Sequence, residues 1–485
     1  MSGRYETTVG LEIHVELATR SKMFCGCRVA FAGAPNSRVC PVCLGFPGTL
    51  PVANEKAVEH TLRIGLALGC DIAEHCLFHR KNYFYPDMPK NYQISQYDSP
   101  LCLRGHLDIP SKTGSKSIGI TRVHIEEDTG KSQHVGGDGR IASSEYSLED
   151  FNRAGTPLVE IVTEPDIESG EEATTFVTEL RALLEALGVS DVRMDEGSLR
   201  VDANISVRRA GEIEHGTKVE VKNMNSIRSV GRALAFEEER QRRALDEGSP
   251  LVQETRHFDE KSGATSSMRS KEHAFDYRYF PEPDLVPLEP SAHWVADIQK
   301  TLPELPPERR QRFVSEYGLT PIDVGVLTAS SSTAAWFEDA ARAYAGDPKK
   351  IVNWIIADLF GLLNVAGIEL SACRIAPPQL AALVTMVDAG TISGTQAKVV
   401  LAEMFRSGSP PREIVRAKGM EQVSDKGAIE AFIDEAIAEN PDVADKVRGG
   451  NPGPLGFLVG QVMRKMNGQA NPKVVNEILH AKLLS

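Results

Sequence analysis

The sequence lacks the features that would place it in a membrane or on a polyanion. No apolar run approaches the roughly 18 residues needed to span a bilayer, and the opening MSGRYETTVG contains no apolar signal core. There is no excess of basic residues either, because the formal net charge is −13. We therefore expect a cytoplasmic protein with no membrane partner, in which any nucleic-acid contact depends on a local basic patch.

A phosphate-binding P-loop is also missing. Gly130, Lys131 and Ser132 match the end of the pattern G-x-x-x-x-G-K-[ST], but Ile125 stands where the first glycine is required. Without that glycine, the tight turn that cradles phosphates is lost. If the chain binds ATP, it does so through other residues.

Length and periodicity predict several domains of different character. The 485 residues suggest about three domains. Alternating strand patterns with interposed helices give way to helical spacing after Pro290. We predict an α+β fold, with a domain of antiparallel, hairpin-like strands at 1–292, an all-helical domain at 293–408 and a small helical tail module at 409–485.

Half of the eight cysteines are crowded into one short segment, as two closely spaced pairs. Clustered cysteines in a cytosolic chain are typical of metal ligands rather than disulfides. Four thiolates would fill a tetrahedral zinc shell, so the site would be structural. Free thiols are the alternative for these residues, which are Cys25, Cys27, Cys40 and Cys43.

The segment Val9–Leu17 alternates with the period of a strand, with its apolar residues on one face. The other face carries Glu12, His14 and Glu16, and such a row of like charges is relieved by a bound cation. The alternative is an edge strand whose polar face is solvated. The segment alone favours that alternative slightly.

Two further predicted strands carry acids. One ends in Glu126 and Glu127, where strict alternation places Glu126 with His124 and Glu127 on the opposite face. The other has Glu160 surrounded by apolar residues, where a carboxylate must be paired, protonated or bound to metal. A salt bridge to a residue such as Arg153 is the alternative for Glu160. Together the three strands favour a shared metal site.

Lysines and aromatic residues are mixed in the segment Phe78–Tyr97. Two prolines exclude a helix there, and we expect a loop. Lys81 and Lys90 can neutralise phosphate, and the tyrosines can stack on a planar base. An ordered aromatic loop packed on the sheet is the alternative.

The tail module has a local basic character. Six lysines and arginines from Lys446 to Lys482 stand against one acid, Glu477. This balance on an acidic chain is typical of a nucleic-acid contact, with a merely solvated tail as the alternative.

With these residues in place, the sequence resembles the B subunits of bacterial tRNA-dependent aspartyl/glutamyl amidotransferases over nearly its whole length. The match consists of many sequence blocks in the same order, which is too extensive to arise by chance. The blocks are GLEIHVEL, SKMFCGC, VCPVCLGFPGTLPV, RKNYFYPDMPKNYQISQYD, HIEEDTGKS, NRAGTPLVEIVTEPD, EGSLRVDANISVR, KNMNS, QETRHFDE, DYRYFPEPDL and GFLVGQVMRKMNGQANPKVVNEIL.

The resemblance implies an enzyme subunit with a cradle-like α+β catalytic domain and a tRNA-binding tail. The implied enzyme is a carbon–nitrogen ligase with glutamine as amido donor, which converts Glu-tRNA(Gln) to Gln-tRNA(Gln) or Asp-tRNA(Asn) to Asn-tRNA(Asn). Its partners would be a glutaminase subunit and a small accessory subunit. No glutaminase apparatus is visible in this chain, because Ser330-Ser331-Ser332 lacks the glycines of an amidase block.

The resemblance also assigns residues. It implies His14, Glu127 and Glu160 as ligands of Mg²⁺ or Mn²⁺, with Glu12 alongside as a catalytic residue. Lys81 and Tyr83 fall in the family's catalytic pocket, where they and Arg153 are the candidate ATP contacts. All four clustered cysteines are present, so a bound structural Zn²⁺ is expected.

Two functions of different class remain open from the sequence. The chain either phosphorylates the aminoacyl side chain with ATP and passes it to ammonia, or it is a non-catalytic scaffold that positions tRNA for a partner enzyme. A divalent metal between His14 and Glu160 distinguishes them, because only the first function needs it.

Overall fold

A computed structural model of the chain describes residues 5–112, 114–136, 144–270, 277–368, 370–420, 426–449, 453–466 and 470–484. The chain divides into two compact units, Met1–Pro306 and Pro307–Ser485. Strands are confined to the first unit, and the described part of the second is helical. The predicted α+β class is confirmed, while the predicted boundaries at residues 292 and 408 stay predictions.

The first unit is built on a large sheet. Its strands are mostly short, but two of them reach twelve or more residues and cross its centre. The strands are β1 (Tyr5–Glu16), β2 (Asp71–Ile72), β3 (His79–Asn82), β4 (Tyr92–Ser95), β5 (Cys102–Ser111), β6 (Gly114–Glu127), β7 (Lys131–Val135), β8 (Tyr146–Asp150), β9 (Pro157–Thr163), β10 (Leu199–Arg209), β11 (Val219–Met224), β12 (Glu254–Asp259), β13 (Ala264–Ser270) and β14 (Phe280–Pro281).

Twelve of these strands form one sheet in the order β13-β12-β11-β10-β1-β9-β6-β4-β3-β14, with β5 paired to β6 and β2. β7 and β8 form a separate hairpin. β1 lies between β10 and β9, so the alternative of an edge strand for Val9–Leu17 is wrong. The centre of the sheet therefore carries the strand with Glu12 and His14.

One strand pair departs from the predicted hairpin pattern. β11 and β12 are parallel, whereas the other strand pairs of the described sheet are antiparallel. The long helix α3 (Ile227–Glu247) follows β11 and returns the chain to the same end of the sheet before β12 begins. Parallel neighbours require such a crossover, so this part is a βαβ unit.

Helix ends in this unit follow the capping residues in the sequence. Asn54 accepts backbone hydrogen bonds at the start of α1 (Glu55–Ala67), and Ser169 does so at the start of α2 (Gly170–Leu187). Gly188 ends α2 with φ 65°, a backbone conformation that glycine adopts without steric cost. α4 (Ala292–Lys300) completes the helices of the unit.

The core lies under the apolar face of the sheet. Alternate residues of β1, and the leucine that follows the strand, are at most 2% exposed and pack with the buried faces of α1, α2 and α3; they are Val9, Leu11, Ile13, Val15 and Leu17. Because side chains alternate along a strand, burying these residues directs Glu12 and His14 to the opposite face.

The second unit has two separate buried cores, one from Phe313 to Val415 and one from Ile429 to Leu483. Over the described residues, no helix is both long and apolar enough to cross a bilayer. The helices are α5 (Pro306–Tyr317), α6 (Pro321–Leu327), α7 (Ser331–Arg342), α8 (Pro348–Trp354), a π-helical turn (Ile355–Leu359), α9 (Phe360–Ala366), a 3₁₀ turn (Leu370–Ala372), α10 (Pro377–Asp388), α11 (Gly394–Ser407), α12 (Pro411–Ala417), α13 (Lys426–Glu439), α14 (Pro441–Arg448), α15 (Leu455–Lys465) and α16 (Pro472–Leu483).

Candidate functional site

Three side chains from adjacent strands form a row across the sheet. His14 of β1 lies opposite Glu160 of β9, and Glu160 lies opposite His124 of β6. Residues directly opposite one another project from the same face of a sheet. His14 Nε2 is 3.7 Å from Glu160 Oε2, and His124 Nε2 is 3.3 Å from the same oxygen. Glu160 is therefore paired with two imidazoles and not with Arg153.

Glu126 joins this row from β6. It follows His124 by two residues, and its Oε1 lies 3.3 Å from His124 Nε2. One ligand atom from each of His14, Glu126 and Glu160 lies within 4.8 Å of the others, and we call these residues the His–Glu cluster. Two carboxylates and an imidazole suit a divalent cation, and the nitrogen donor favours Mn²⁺ at least as much as Mg²⁺.

The charges in this group stabilise one another. Burial alone would lower the pKa of His124, but the carboxylates of Glu160 and Glu126 raise it to about 9. Burial alone would raise the pKa of Glu160, but the positive charge and hydrogen bond of His124 hold it well below its usual range. Glu160 is thus an ionised carboxylate, the form that binds metal.

Two polar residues of β4 fix the carboxylate of Glu126. Gln93 Nε2 donates to Oε2 at 3.1 Å, and Ser95 Oγ donates to Oε1 at 2.8 Å. Sequence reasoning missed both residues, because the pairing of β4 with β6 has no local signal. Alternation had placed His124 beside Glu126, but did not assign it a role.

Glu127 projects from the opposite face of β6. Its carboxylate is ion-paired with Lys90 and accepts a hydrogen bond from the backbone N–H of Ile94 at 3.1 Å. It lines a small cavity of about 70 Å³ that also contacts Lys22 and Cys43. Glu127, which the resemblance assigned to the metal, therefore lies outside the His–Glu cluster.

Two further charged residues flank the cluster, Glu12 on the strand of His14 and Lys81 on β3. Glu12 precedes His14 by two residues on the same face, and its Oε1 accepts a hydrogen bond from Asn204 Nδ2 at 2.9 Å. Lys81 is half-buried in β3. Burial would lower the pKa of Lys81, but the carboxylates of Glu126 and Glu160 raise it above its usual value. Lys81 is thus a fixed positive charge facing the cluster.

The predicted loop around Lys81 is partly a hairpin, because β3 and β4 pair along His79–Asn82 and Tyr92–Ser95. Tyr83 begins the connection between them. Its ring stacks on that of Tyr85, with 4.7 Å between the centroids. The aromatic surface available to a base is therefore partly used within the connection itself.

Arg153 belongs to a second charged group, centred on Asp128. Its guanidinium lies 3.6 Å from Asp128 Oδ2 and donates to the carbonyl oxygens of Thr129 and Gly130 at 3.1 and 2.7 Å. Arg200 donates to the same Asp128 oxygen at 2.8 Å. These contacts anchor Arg153 against the segment that follows β6, with its side chain about one third exposed.

The four clustered cysteines come together in space. The sulfurs of Cys25, Cys27, Cys40 and Cys43 all lie within 4.8 Å of one another. Four thiolates around a zinc ion with bonds of ~2.3 Å stand about 3.8 Å apart, so the cluster fits a tetrahedral metal site. A hydrogen bond from Cys25 and the nearby charge of Lys22 lower the pKa of Cys43 to about 4.

The basic residues of the tail are partly neutralised within it. Lys465 pairs with Glu435 and Glu439 of α13, and Lys482 pairs with Glu430 and Asp434 of the same helix. Arg448 pairs with Asp445. Among the described basic residues from Lys446 to Lys482, those without such an ion pair are Lys446, Arg464 and Lys473.

Comparisons with known proteins identify the family of the chain. The chain matches the family model of the GatB/GatE catalytic domain over residues 7–296 and that of the GatB domain over residues 335–483. It is 52% identical over 479 residues to the B subunit of the aspartyl/glutamyl-tRNA(Asn/Gln) amidotransferase from Carboxydothermus hydrogenoformans. It is 51% identical over 483 residues to the B subunit of the same name from Anaeromyxobacter dehalogenans, and in both cases 99% of each chain is covered. The chain therefore belongs to the family of aspartyl/glutamyl-tRNA(Asn/Gln) amidotransferase B subunits.

Proposed function

We propose that this chain catalyses the ATP-dependent phosphorylation of the side-chain carboxylate of Glu-tRNA(Gln), Asp-tRNA(Asn) or both, and the amidation that follows. The family places the chain in a glutamine-dependent carbon–nitrogen ligase complex. The observation that carries the proposal is the His–Glu cluster with Lys81 beside it, because this arrangement supplies metal ligands and a fixed cation on one face of the sheet. A scaffold that only positions tRNA has no need of such a site.

The chemistry requires activation, because the oxide of a carboxylate is a very poor leaving group. Transfer of the ATP γ-phosphoryl group to a carboxylate oxygen forms an acyl phosphate. Ammonia then attacks the carbonyl carbon, the carbon–oxygen bond to phosphate breaks, and the amine loses a proton as the amide forms. When bound, Mg²⁺ or Mn²⁺ neutralises the phosphate oxygens.

The residues proposed to hold this metal are His14, Glu160 and one acid of β6. Glu126 is favoured for the third position, because its carboxylate shares the cluster while that of Glu127 is engaged by Lys90. Glu127 remains the alternative that the resemblance implies. Glu12, two residues from His14 on the same face, is proposed as a further catalytic carboxylate.

Lys81, Tyr83 and Arg153 are the proposed ATP contacts. Lys81 would bind a phosphate oxygen as a point charge, since its ammonium already faces Glu126 and Glu160. Arg153 has a partly exposed side chain, and its guanidinium is held in place by Asp128. Tyr83, whose ring stacks on that of Tyr85, is proposed to contact the base.

The proposed partners follow from the chemistry and the family. Ammonia would come from a glutaminase subunit, with a small accessory subunit completing a heterotrimer. The tail would contact tRNA through cations such as Arg464 and Lys473, and the four cysteines would hold Zn²⁺. The cytoplasmic location expected from the sequence stays a prediction.

The test is tRNA amidation by the assembled complex with ammonium supplied in place of glutamine, so that the glutaminase step is bypassed. Glu160→Gln preserves the size of the side chain and removes the charge. We expect at least a hundredfold loss of amidation, about 2.7 kcal/mol in the barrier, with tRNA binding retained. If Glu160→Gln amidates tRNA at the parent rate, the chain is a non-catalytic scaffold and the proposal is wrong.

A further inference from the structure

Lys22 is a buried lysine that the proposed reaction does not use. Its side chain is among the largest that are fully buried, with 1% of the residue exposed. Its ammonium lies 3.6 Å from Cys43 Sγ and donates to the backbone carbonyl oxygen of Phe151 at 3.1 Å. Among the described residues, no carboxylate forms an ion pair with it.

A buried ammonium needs a compensating negative charge, because burial removes the water that would stabilise it. The cysteine cluster supplies one, since four thiolates around Zn²⁺ carry a net charge of about −2. A hydrogen bond from an ammonium to a thiolate ligand offsets part of that charge and orients the ligand. Lys22 and the cysteine site therefore stabilise each other.

The other partner of Lys22 belongs to a segment that is tied to the cysteine loops along its length. Asn36 Nδ2 donates to the carbonyl of Glu149 at 2.9 Å, and Asn36 Oδ1 accepts from the Phe151 N–H at 2.8 Å. Asn152 Oδ1 accepts from the Arg38 N–H at 2.8 Å. Asn36 has φ 55°, the left-handed conformation that asparagine tolerates best among residues with a side chain.

This segment, residues 149–155, leads directly to the candidate active site. Arg153 extends from it to the carbonyls of Thr129 and Gly130, just after the acids of β6. At its end, the Gly155 carbonyl accepts the Met23 N–H at 2.7 Å, and β9 with Glu160 begins two residues later. Residues 149–155 thus contact the cysteine loops and lead directly into the strand that carries Glu160.

We propose that Lys22 is a positioning residue that couples metal occupancy of the cysteine site to the conformation of residues 149–155, and through them to Arg153. The ammonium bridges the Cys43 thiolate and the Phe151 carbonyl, so loss of the metal frees the cysteine loops that hold this thiolate against the ammonium. This inference rests on the zinc proposed above, but not on the amidation chemistry.

The first experiment measures zinc release from the full-length chain to a colorimetric chelator. Lys22→Met keeps the length of the side chain and removes the charge, and we expect release to be ~10- to 100-fold faster. Lys22→Arg keeps the charge, so its zinc release should be close to the wild-type rate. The double variant Lys90→Met/Glu127→Gln is the matched control, because it removes an ion pair from the same cavity without leaving a buried charge uncompensated, and it should release zinc at close to the wild-type rate.

The second experiment uses the wild-type chain and does not depend on how the variants fold. Backbone amide exchange is followed with zinc bound and after chelation. We expect faster exchange at Phe151, Gly155 and Thr156 when zinc is removed, with the amides of α10 in the other unit unchanged. Unchanged protection at those three amides overturns the coupling.

Three other results overturn the inference as well. They are release from Lys22→Met at the wild-type rate, release from the double variant Lys90→Met/Glu127→Gln as fast as from Lys22→Met, and a chain that purifies with four free thiols and no zinc. Each leaves the amidation assay of the preceding section unaffected, so failure of this inference is distinguishable from failure of the proposed function.

Discussion

His14 and Glu160 face each other on neighbouring antiparallel strands, with His14 Nε2 3.7 Å from Glu160 Oε2. At this separation the two atoms are too far apart for a strong hydrogen bond, but close enough for both to bind one ion placed between them. The third ligand that we propose comes from β6, on the far side of Glu160, where Glu126 and Glu127 are the two candidates.

Glu126→Gln is expected to weaken Mn²⁺ binding at least tenfold, about 1.4 kcal/mol, because it removes a charged ligand from the His–Glu cluster. Glu127→Gln should leave the affinity nearly unchanged, since Glu127 is engaged by Lys90 and by the Ile94 N–H. Electron paramagnetic resonance of free Mn²⁺ measures both. The reverse order of effects would assign the metal to Glu127, as the resemblance implies.

His124 is expected to orient two metal ligands without binding the ion itself. Its Nε2 lies 3.3 Å from oxygens of both Glu126 and Glu160. His124→Leu should lower Mn²⁺ affinity ~10- to 100-fold, the usual effect of losing a residue that supports metal ligands. His124→Gln retains a hydrogen-bond donor, so its Mn²⁺ affinity should fall by less. Equal losses of Mn²⁺ affinity in the two variants would show that the hydrogen bonds of His124 do not contribute to metal binding.

The ion pair between Arg80 and Glu282 joins β3, the strand of Lys81, to the segment around β14. Both carboxylate oxygens of Glu282 accept hydrogen bonds from Arg80 at 2.6 Å, and the Glu282 side chain is fully buried. Arg80→Met leaves that charge uncompensated and should lower the free energy of unfolding by ~3–5 kcal/mol. Urea denaturation measures the loss.

A control for this prediction is the exposed pair of Arg104 with Asp71, whose side chains are 72% and 65% exposed. Arg104→Met should change the free energy of unfolding by less than ~1 kcal/mol, because water already screens the pair. Similar losses in both variants would mean that burial of Glu282 does not set the cost.

His60 on α1 gives the first unit a dependence on acid pH. Burial lowers the pKa of His60 below the ordinary value of 6.5, with the charge of Lys56 acting in the same direction. Below that ordinary value the unfolded chain takes up a proton that the folded chain excludes. Stability should therefore fall as the pH drops from 6.5 towards the lowered pKa, by at most about 1.4 kcal/mol per pH unit.

Urea denaturation at about pH 7.5 and about pH 5.5 tests this dependence. His60→Gln should flatten the profile between these values, whereas His75→Gln, at an exposed position, serves as the control. A profile that is equally steep in wild type and His60→Gln would assign the acid sensitivity to other groups.

Much of the first unit could be predicted from the sequence, because its signals are local. Strict alternation identified β1 and separated Glu126 from Glu127, and the caps at Asn54, Ser169 and Gly188 set the helix limits. The parallel pairing of β11 with β12 was not predicted. It depends on where α3 returns the chain, which is a property of tertiary packing.

The candidate site, too, could be predicted only where its signals are local in the sequence. Periodicity placed His124 beside Glu126, and the structure places their side chains in contact. The contacts that distinguish the two acids are Gln93 and Ser95 on one face and Lys90 on the other, and all three lie more than 30 residues away in the chain. No local pattern in the sequence carries that information.

The row of His14, Glu160 and His124 has a consequence for how this chain can change through evolution. Each strand contributes its residue only in one register, and a slip by a single position would turn that side chain into the apolar core. Insertions and deletions are thus confined to the connections between β1, β6 and β9. Within these strands, gain or loss of one residue would dismantle the site even if every ligand were retained.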